Sequence, residues 1–93
     1  MIRSFRSKET AQIWRGEASR RFPADIQNRA LRKLRQLDAA RTMDDLRNPP
    51  GNRMEILRGE RNGQTSLRIN DQWRICFIWN LGDAFDVEIV DYH

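Results

Sequence analysis

The 93 residues predict an α+β domain, with an N-terminal strand and two helices packed on one face of a mainly antiparallel sheet. Three observations carry this prediction. Ile26, Ala30, Leu34 and Leu37 recur at helical spacing within residues 24–40. After Pro49-Pro50-Gly51 the apolar period shortens to that of strands. Two turn signals, Asn62-Gly63 and Asn80-Leu81-Gly82-Asp83, then punctuate four strand-like runs.

Residues 1–6 alternate Ile2 and Ser4 with Arg3 and Phe5, a weak first strand. Ser7, Glu9 and Thr10 offer caps for a helix anchored by Ile13 and Trp14, which fades near Gly16. Phe22-Pro23 opens the main helix, where Asp25 in the first turn complements the helix dipole and Leu31 flanks the apolar face. Thr42 to Leu46 adds a short helical turn, and Pro49-Pro50-Gly51 stops all helix. Met54 to Arg58 reads as a short strand. Asn62-Gly63 reads as a tight hairpin in which both residues tolerate positive φ. Thr65 to Asn70 alternates, Leu67 and Ile69 on one face and Ser66 and Arg68 on the other. Trp73 to Trp79 is apolar on both faces, as in a central strand. Phe85, Val87 and Ile89 are expected on one face of the last strand.

Residues 1–93 are expected to form one domain with a modest core, without linker, repeat or low-complexity segment. No apolar run approaches the roughly 20 residues that span a bilayer. Residues 1–6 lack the long apolar segment of a secretion signal. The single cysteine, Cys76, excludes an internal disulfide, and one His with one Cys leaves no zinc-ligand cluster. The expected compartment is the cytoplasm, with no membrane association, metal or cofactor. Cys76, Trp73 and Trp79 are expected in the core rather than as a nucleophile or a base-stacking platform.

Charge is distributed unevenly. Residues 1–50 carry 12 Lys and Arg against 6 Asp and Glu, whereas residues 51–93 carry 5 against 7, for a net charge of +4. Only Lys8 and Lys33 are lysines. Arginine presents a planar fork that meets phosphate oxygens two at a time. Arg29, Arg32, Lys33 and Arg35 lie on the surface left by the apolar face of the main helix. Two readings of this bias stand side by side, a nucleic-acid partner and a solvated helical face.

Arg74 interrupts an otherwise apolar strand. A guanidinium there needs a partner, because burying it alone is very costly. Asp91, Glu88 and Glu55 are candidate ion-pair partners; the functional reading aims Arg74 at a phosphate, with Arg68 one strand earlier in a similar position. His93 is the only histidine and follows the strand-like run Ala84 to Val90. If that strand persists, Asp91 and His93 share a face and Tyr92 points the other way. Asp91 and the terminal carboxylate both favour the imidazolium, which suits a proton donor. The alternative is a frayed polar end.

The stretch Pro50-Gly51-Asn52-Arg53-Met54-Glu55-Ile56-Leu57-Arg58-Gly59-Glu60-Arg61 is followed by the stretch from Gly63-Gln64-Thr65-Ser66 to Trp73-Arg74-Ile75-Cys76-Phe77. With the ending Val90-Asp91-Tyr92-His93, it resembles the HigB group of RelE-type toxins. The similarity extends to Met1-Ile2 and to Pro23-Ala24-Asp25-Ile26-Gln27. The resemblance implies a RelE-like fold and the toxin role of a toxin–antitoxin pair. It further implies cleavage of mRNA on the ribosome and silencing by a helix-turn-helix, HigA-like antitoxin, through which alone operator DNA is contacted. Arg74 matches the family's active-site strand arginine, and Asp91, Tyr92 and His93 match its C-terminal catalytic segment. Arg58 stands where some members carry Lys. Glu55 stands where some carry a catalytic His, so a two-histidine mechanism does not transfer.

The chemistry implied is attack of an RNA 2′-OH on the adjacent phosphate, giving a 2′,3′-cyclic phosphate and a 5′-OH without a metal. Arg74, helped by Arg58 or Arg68, would stabilise charge on the phosphate oxygens. His93, oriented by Asp91, would protonate the leaving oxygen, and Tyr92 would hold the nucleotide. The base is left between Glu55 and His93. Arg29, Arg32, Lys33 and Arg35 would grip ribosomal RNA. A non-cleaving inhibitor that binds ribosome or RNA, and a ribosome-independent ribonuclease, are the alternative functions.

Overall fold

The computed structural model describes residues 1–48 and 50–91; Pro49, Tyr92 and His93 lie outside the described residues. Helix α1 spans Lys8–Trp14, α2 spans Ala24–Ala39 and α3 spans Met43–Arg47. The sheet follows as β1 (Glu55–Ile56), β2 (Thr65–Arg68), β3 (Trp73–Asn80) and β4 (Asp83–Asp91), antiparallel in the order β1-β2-β3-β4. Among the described residues no helix is long and apolar enough to cross a membrane.

Local chemistry sets each helix boundary. Ser7 caps α1, its Oγ accepting from the Thr10 amide at 3.2 Å, and the helix closes before Gly16 at φ +81°. Pro23 lacks a capping side chain, so Gln27 organises the entry to α2 by donating to the Ser19 and Phe22 carbonyls. Thr42 and Asp45 form a capping box at α3. The amides of Arg41 and Thr42 hold the Asp45 carboxyl below its ordinary value.

Helices and sheet share one apolar core. Ile26, Ala30, Leu34 and Leu37 bury their face of α2 against Leu67, Ile75, Phe77, Val87 and Ile89. Each such Ile, Leu, Val or Phe side chain stabilises the fold by about 1.5–3 kcal/mol. Trp73 meets Phe22 edge-on at 5.6 Å and Trp79 meets Phe77 at 6.4 Å, both packed against this core as expected. Thr10 ties α1 to the sheet, since its buried hydroxyl accepts from the Ile89 amide at 3.0 Å.

Five local expectations are corrected. The N-terminal strand is reduced to two parallel bridges to β4, Ile2 with Ala84 and Phe5 with Val87. The reason is a bulge in β4, where Asp86 sits at φ +53° and Ser4 Oγ accepts its amide. Cys76 opposes Glu88 while Ile78 opposes Phe85, so one β3 residue faces two on β4. The same bulge breaks the alternation: Ala84, not Phe85, joins Val87 and Ile89 in the core. Asn62-Gly63 is a type II rather than a doubly positive-φ turn. Asn62 takes φ −54° and only Gly63 is positive, because a 3₁₀ turn over Gly59–Arg61 feeds the chain into it. The strand expected over Met54 to Arg58 keeps only Glu55–Ile56, and the proline segment, which ends α-helix, itself forms a 3₁₀ turn over Pro50–Asn52. Asn80 to Asp83 does form a two-residue hairpin, with Leu81 and Gly82 both at positive φ.

Thr10→Val keeps the shape but strands the buried Ile89 amide. Urea unfolding is expected to show a loss of about 1–3 kcal/mol with an unchanged m-value; undiminished stability would show that this tie contributes nothing.

Candidate active site

Cross-strand register sorts the candidate residues by face. Leu67 opposes Ile75 and Ile75 opposes Ile89, and these point into the core. Glu55 opposes Ser66, Ser66 opposes Cys76, Cys76 opposes Glu88 and Arg68 opposes Arg74, so these six alternate with the core-facing Leu67, Ile75 and Ile89.

Arg74 is 9% exposed among these residues. Its Nε donates to Ser66 Oγ at 2.8 Å, and its Nη2 donates to the Arg53 carbonyl at 2.6 Å and the Ser66 carbonyl at 3.4 Å. Hydrogen bonds from a charged group contribute about 1.5–3 kcal/mol each, enough for several to offset a desolvation cost of several kcal/mol. Arg53 itself takes φ +41°, a conformation side-chain-bearing residues rarely adopt.

Glu55 and Arg58 are exposed, Glu55 beside the serine that cradles Arg74 and Arg58 just before the 3₁₀ turn Gly59–Arg61. Arg61 reaches from that turn to Glu88 on β4 at 3.4 Å and also donates to Gln64. Cys76 lies buried between Ser66 and Glu88, and burial pushes its thiol up, as suits a packing residue rather than a nucleophile. Asp91 opposes Trp73 and accepts from Gln72 Nε2 at 3.1 Å. Tyr92 and His93, expected in the catalytic segment, lie outside the described residues. Asp91 lines a cleft of about 550 Å³ with Arg21, Arg61, Trp73, Glu88, Ile89 and Val90.

A second cationic site forms where α2 meets the end of β2. Arg29, Arg32, Lys33 and Gln36 line a groove of about 270 Å³ with Gly51, Arg68 and Ile69. At roughly 100° per helical residue, Arg35 falls on a different side of α2 and is exposed outside this groove. Arg68 also pairs with the exposed Asp71, whose carboxyl it holds below the ordinary value. Lys33 donates to Asn52 Oδ1. Burial, then the charges of Arg29, Arg32 and Arg68, lower its pKa.

The alternation had placed Ser66 on a face with Arg68, a usable signal for the cradle. Nothing in the sequence marks the Arg53 carbonyl, since every residue carries one. Nor does it mark Asn52, whose fully buried side chain donates to the Leu46 carbonyl at 3.1 Å.

The model of the HigB-like toxins, RelE-like toxins of type II toxin–antitoxin systems, matches residues 3–93. The chain belongs to this family. "Toxin HigB-1" of Vibrio cholerae serotype O1 is 41% identical to this HigB-like toxin over 87 residues, covering 92% of each chain. "Endoribonuclease HigB" of Proteus vulgaris is 30% identical over 93 residues, covering 100% of both. An uncharacterised Haemophilus influenzae protein is 32% identical over 62 residues, covering 67% of this chain and 61% of its own. Family membership gives this HigB-like toxin an antitoxin as its partner.

The lowered Lys33 pKa carries a sign. In the alkaline interval just below the ordinary lysine value, the unfolded chain holds a proton that the folded chain has released, so stability rises with pH there. An anion in the groove favours the ammonium and moves the titration back up. NMR titration of the Lys33 side chain, with and without a short RNA, is expected to show both effects; a midpoint that RNA leaves unmoved would contradict the assigned electrostatics.

Proposed function

We propose that this toxin is an endoribonuclease that cuts messenger RNA on the ribosome and so inhibits translation. The observation that carries the reading is Arg74, a nearly buried guanidinium on the sheet, held by Ser66 and the Arg53 carbonyl. The full-length similarity to a relative named an endoribonuclease supports it.

In this reading the RNA 2′-oxygen attacks its own 3′-phosphate and the bond to the 5′-oxygen breaks. Arg74 stabilises the charge that develops on the phosphate oxygens, with Arg58 and Arg68 adding positive charge nearby. Glu55, exposed beside Ser66, accepts the 2′-OH proton. His93, oriented by Asp91, gives a proton to the departing 5′-oxygen, and Tyr92 holds the nucleotide. The step balances without a metal, because one proton leaves the 2′-OH and another reaches the 5′-O.

The groove of Arg29, Arg32, Lys33 and Arg68 serves as the grip on ribosomal RNA phosphates, with Arg35 adding charge on another side of α2. Residues 1–93 act as one domain in the cytoplasm. The antitoxin is a HigA-like helix-turn-helix protein, and operator DNA is reached only through it. The reading differs in its products from a non-cleaving inhibitor, and in its substrate from a ribonuclease that needs no ribosome.

Mapping 5′ ends in translated and untranslated messages, after induction of the wild type and a His93-deleted form, tests it. New ends are expected in translated messages alone. Deletion is expected to reduce them about 10²–10⁴-fold, the range for a lost general acid. Ribosome association without new ends would mean occlusion, ends in untranslated RNA a free ribonuclease, and undiminished cutting without His93 another acid.

A further inference from the structure

The buried hydrogen bonds around Arg74 continue beyond the residues that touch it. Asn52 and Arg53 are consecutive, and they are held from opposite sides. The Arg53 carbonyl receives Arg74 Nη2 from β3 at 2.6 Å. The Asn52 side chain, 0% exposed, donates to the Leu46 carbonyl of α3 at 3.1 Å and accepts from Lys33 of α2. Between these anchors the backbone leaves the 3₁₀ turn Pro50–Asn52, with the Arg53 amide donating to the Pro50 carbonyl at 3.2 Å, and enters the positive-φ conformation of Arg53.

This arrangement makes the carbonyl under Arg74 only as fixed as Asn52. A backbone at φ +41° does not hold itself there, because residues with a Cβ prefer the right-handed or extended regions. Asn52 supplies the restraint through two bonds to two helices. The bond to Leu46 is buried, so solvent does not readily replace it, and the bond from Lys33 is partly buried. Lys33 also lines the cationic groove, so the restraint is shared between that groove and the sheet face.

We propose that Asn52 is a positioning residue for Arg74, acting through the Arg53 carbonyl, with Lys33 joining this support to the cationic groove. The proposal rests on the reading of Arg74 as the group that stabilises the phosphate. Asn52 touches no reacting atom. It sets the direction of the guanidinium, and a misplacement of about 1 Å can cost on the order of 10²-fold in rate.

Two readouts test this on the whole chain. The first is single-turnover cutting of mRNA on programmed ribosomes at saturating toxin, with ribosome affinity measured separately. The second is the ¹⁵N–¹H signal of Arg74 Nε and its exchange protection, followed in the toxin alone. Asn52→Ala removes both helix bonds. Asn52→Asp keeps an acceptor for Lys33 but turns an oxygen toward the Leu46 carbonyl, and provides a second variant should the first fail to fold. The expected result is a rate at saturating toxin lower by about 10- to 100-fold, beyond any change in ribosome affinity transmitted through Lys33. The Arg74 Nε signal is expected to shift and lose protection, while the sheet amides keep theirs. An unmoved Arg74 signal in a folded variant overturns the positioning role, and so does an unchanged rate. Failure of the wild type to cut overturns the enzymatic reading and the catalytic part of this proposal together, whereas the NMR readout judges the support of Arg74 independently.

Discussion

A guanidinium lies almost buried in the central strand, and much of the site depends on how it is accommodated. Arg74 breaks the apolar run of β3 and would destabilise the sheet if left in a dry environment without partners. Ser66, one strand away, meets its Nε, and the Arg53 carbonyl meets its Nη2. The serine hydroxyl comes from β2 register, where Ser66 opposes Cys76 and Arg68 opposes Arg74. The carbonyl requires an unusual backbone conformation in the segment between α3 and β1. The desolvation cost of this side chain is therefore offset by hydrogen bonds to a serine hydroxyl and to backbone carbonyls.

The helices contribute more than an apolar face. α2 buries Ile26, Ala30, Leu34 and Leu37 on one side and presents Arg29, Arg32 and Lys33 on another. Because α2 lies against the sheet, those cations meet Arg68 from β2, and burial, then repulsion from Arg29, Arg32 and Arg68, lowers the pKa of Lys33. Lys33 and Asn52 also connect the cationic groove to the loop that carries the Arg53 carbonyl. The α2 groove and Arg74 on the sheet thus share a structural support.

Much of this was legible in the sequence, for physical reasons that differ from residue to residue. The four-residue spacing from Ile26 to Leu34 could belong only to a helix with one buried face. The lone charge in Trp73 to Trp79 marked Arg74, because no apolar core accepts a guanidinium without compensation. The bulge at Asp86 was hidden, since it depends on a hydroxyl 82 residues earlier, on Ser4. That one irregularity moved Phe85 out of the core and cut the N-terminal strand to two bridges. The pair Asn62-Gly63 marks a turn, but the preceding 3₁₀ turn decides its type. The meeting of Arg68 with the α2 cations is likewise tertiary, as is the isolation of Arg35 from them.

The central claim is that Arg74, oriented by its cradle, stabilises the charge formed on the scissile phosphate. Arg74→Lys tests it most directly, because lysine keeps the charge and loses the planar fork. The measurement is the single-turnover rate of mRNA cleavage on programmed ribosomes, alongside circular dichroism and ribosome affinity. The expected rate is lower by about 10²–10³-fold, as for the loss of one oxyanion-type donor, with fold and affinity retained. A lysine variant that cuts at the wild-type rate would contradict it.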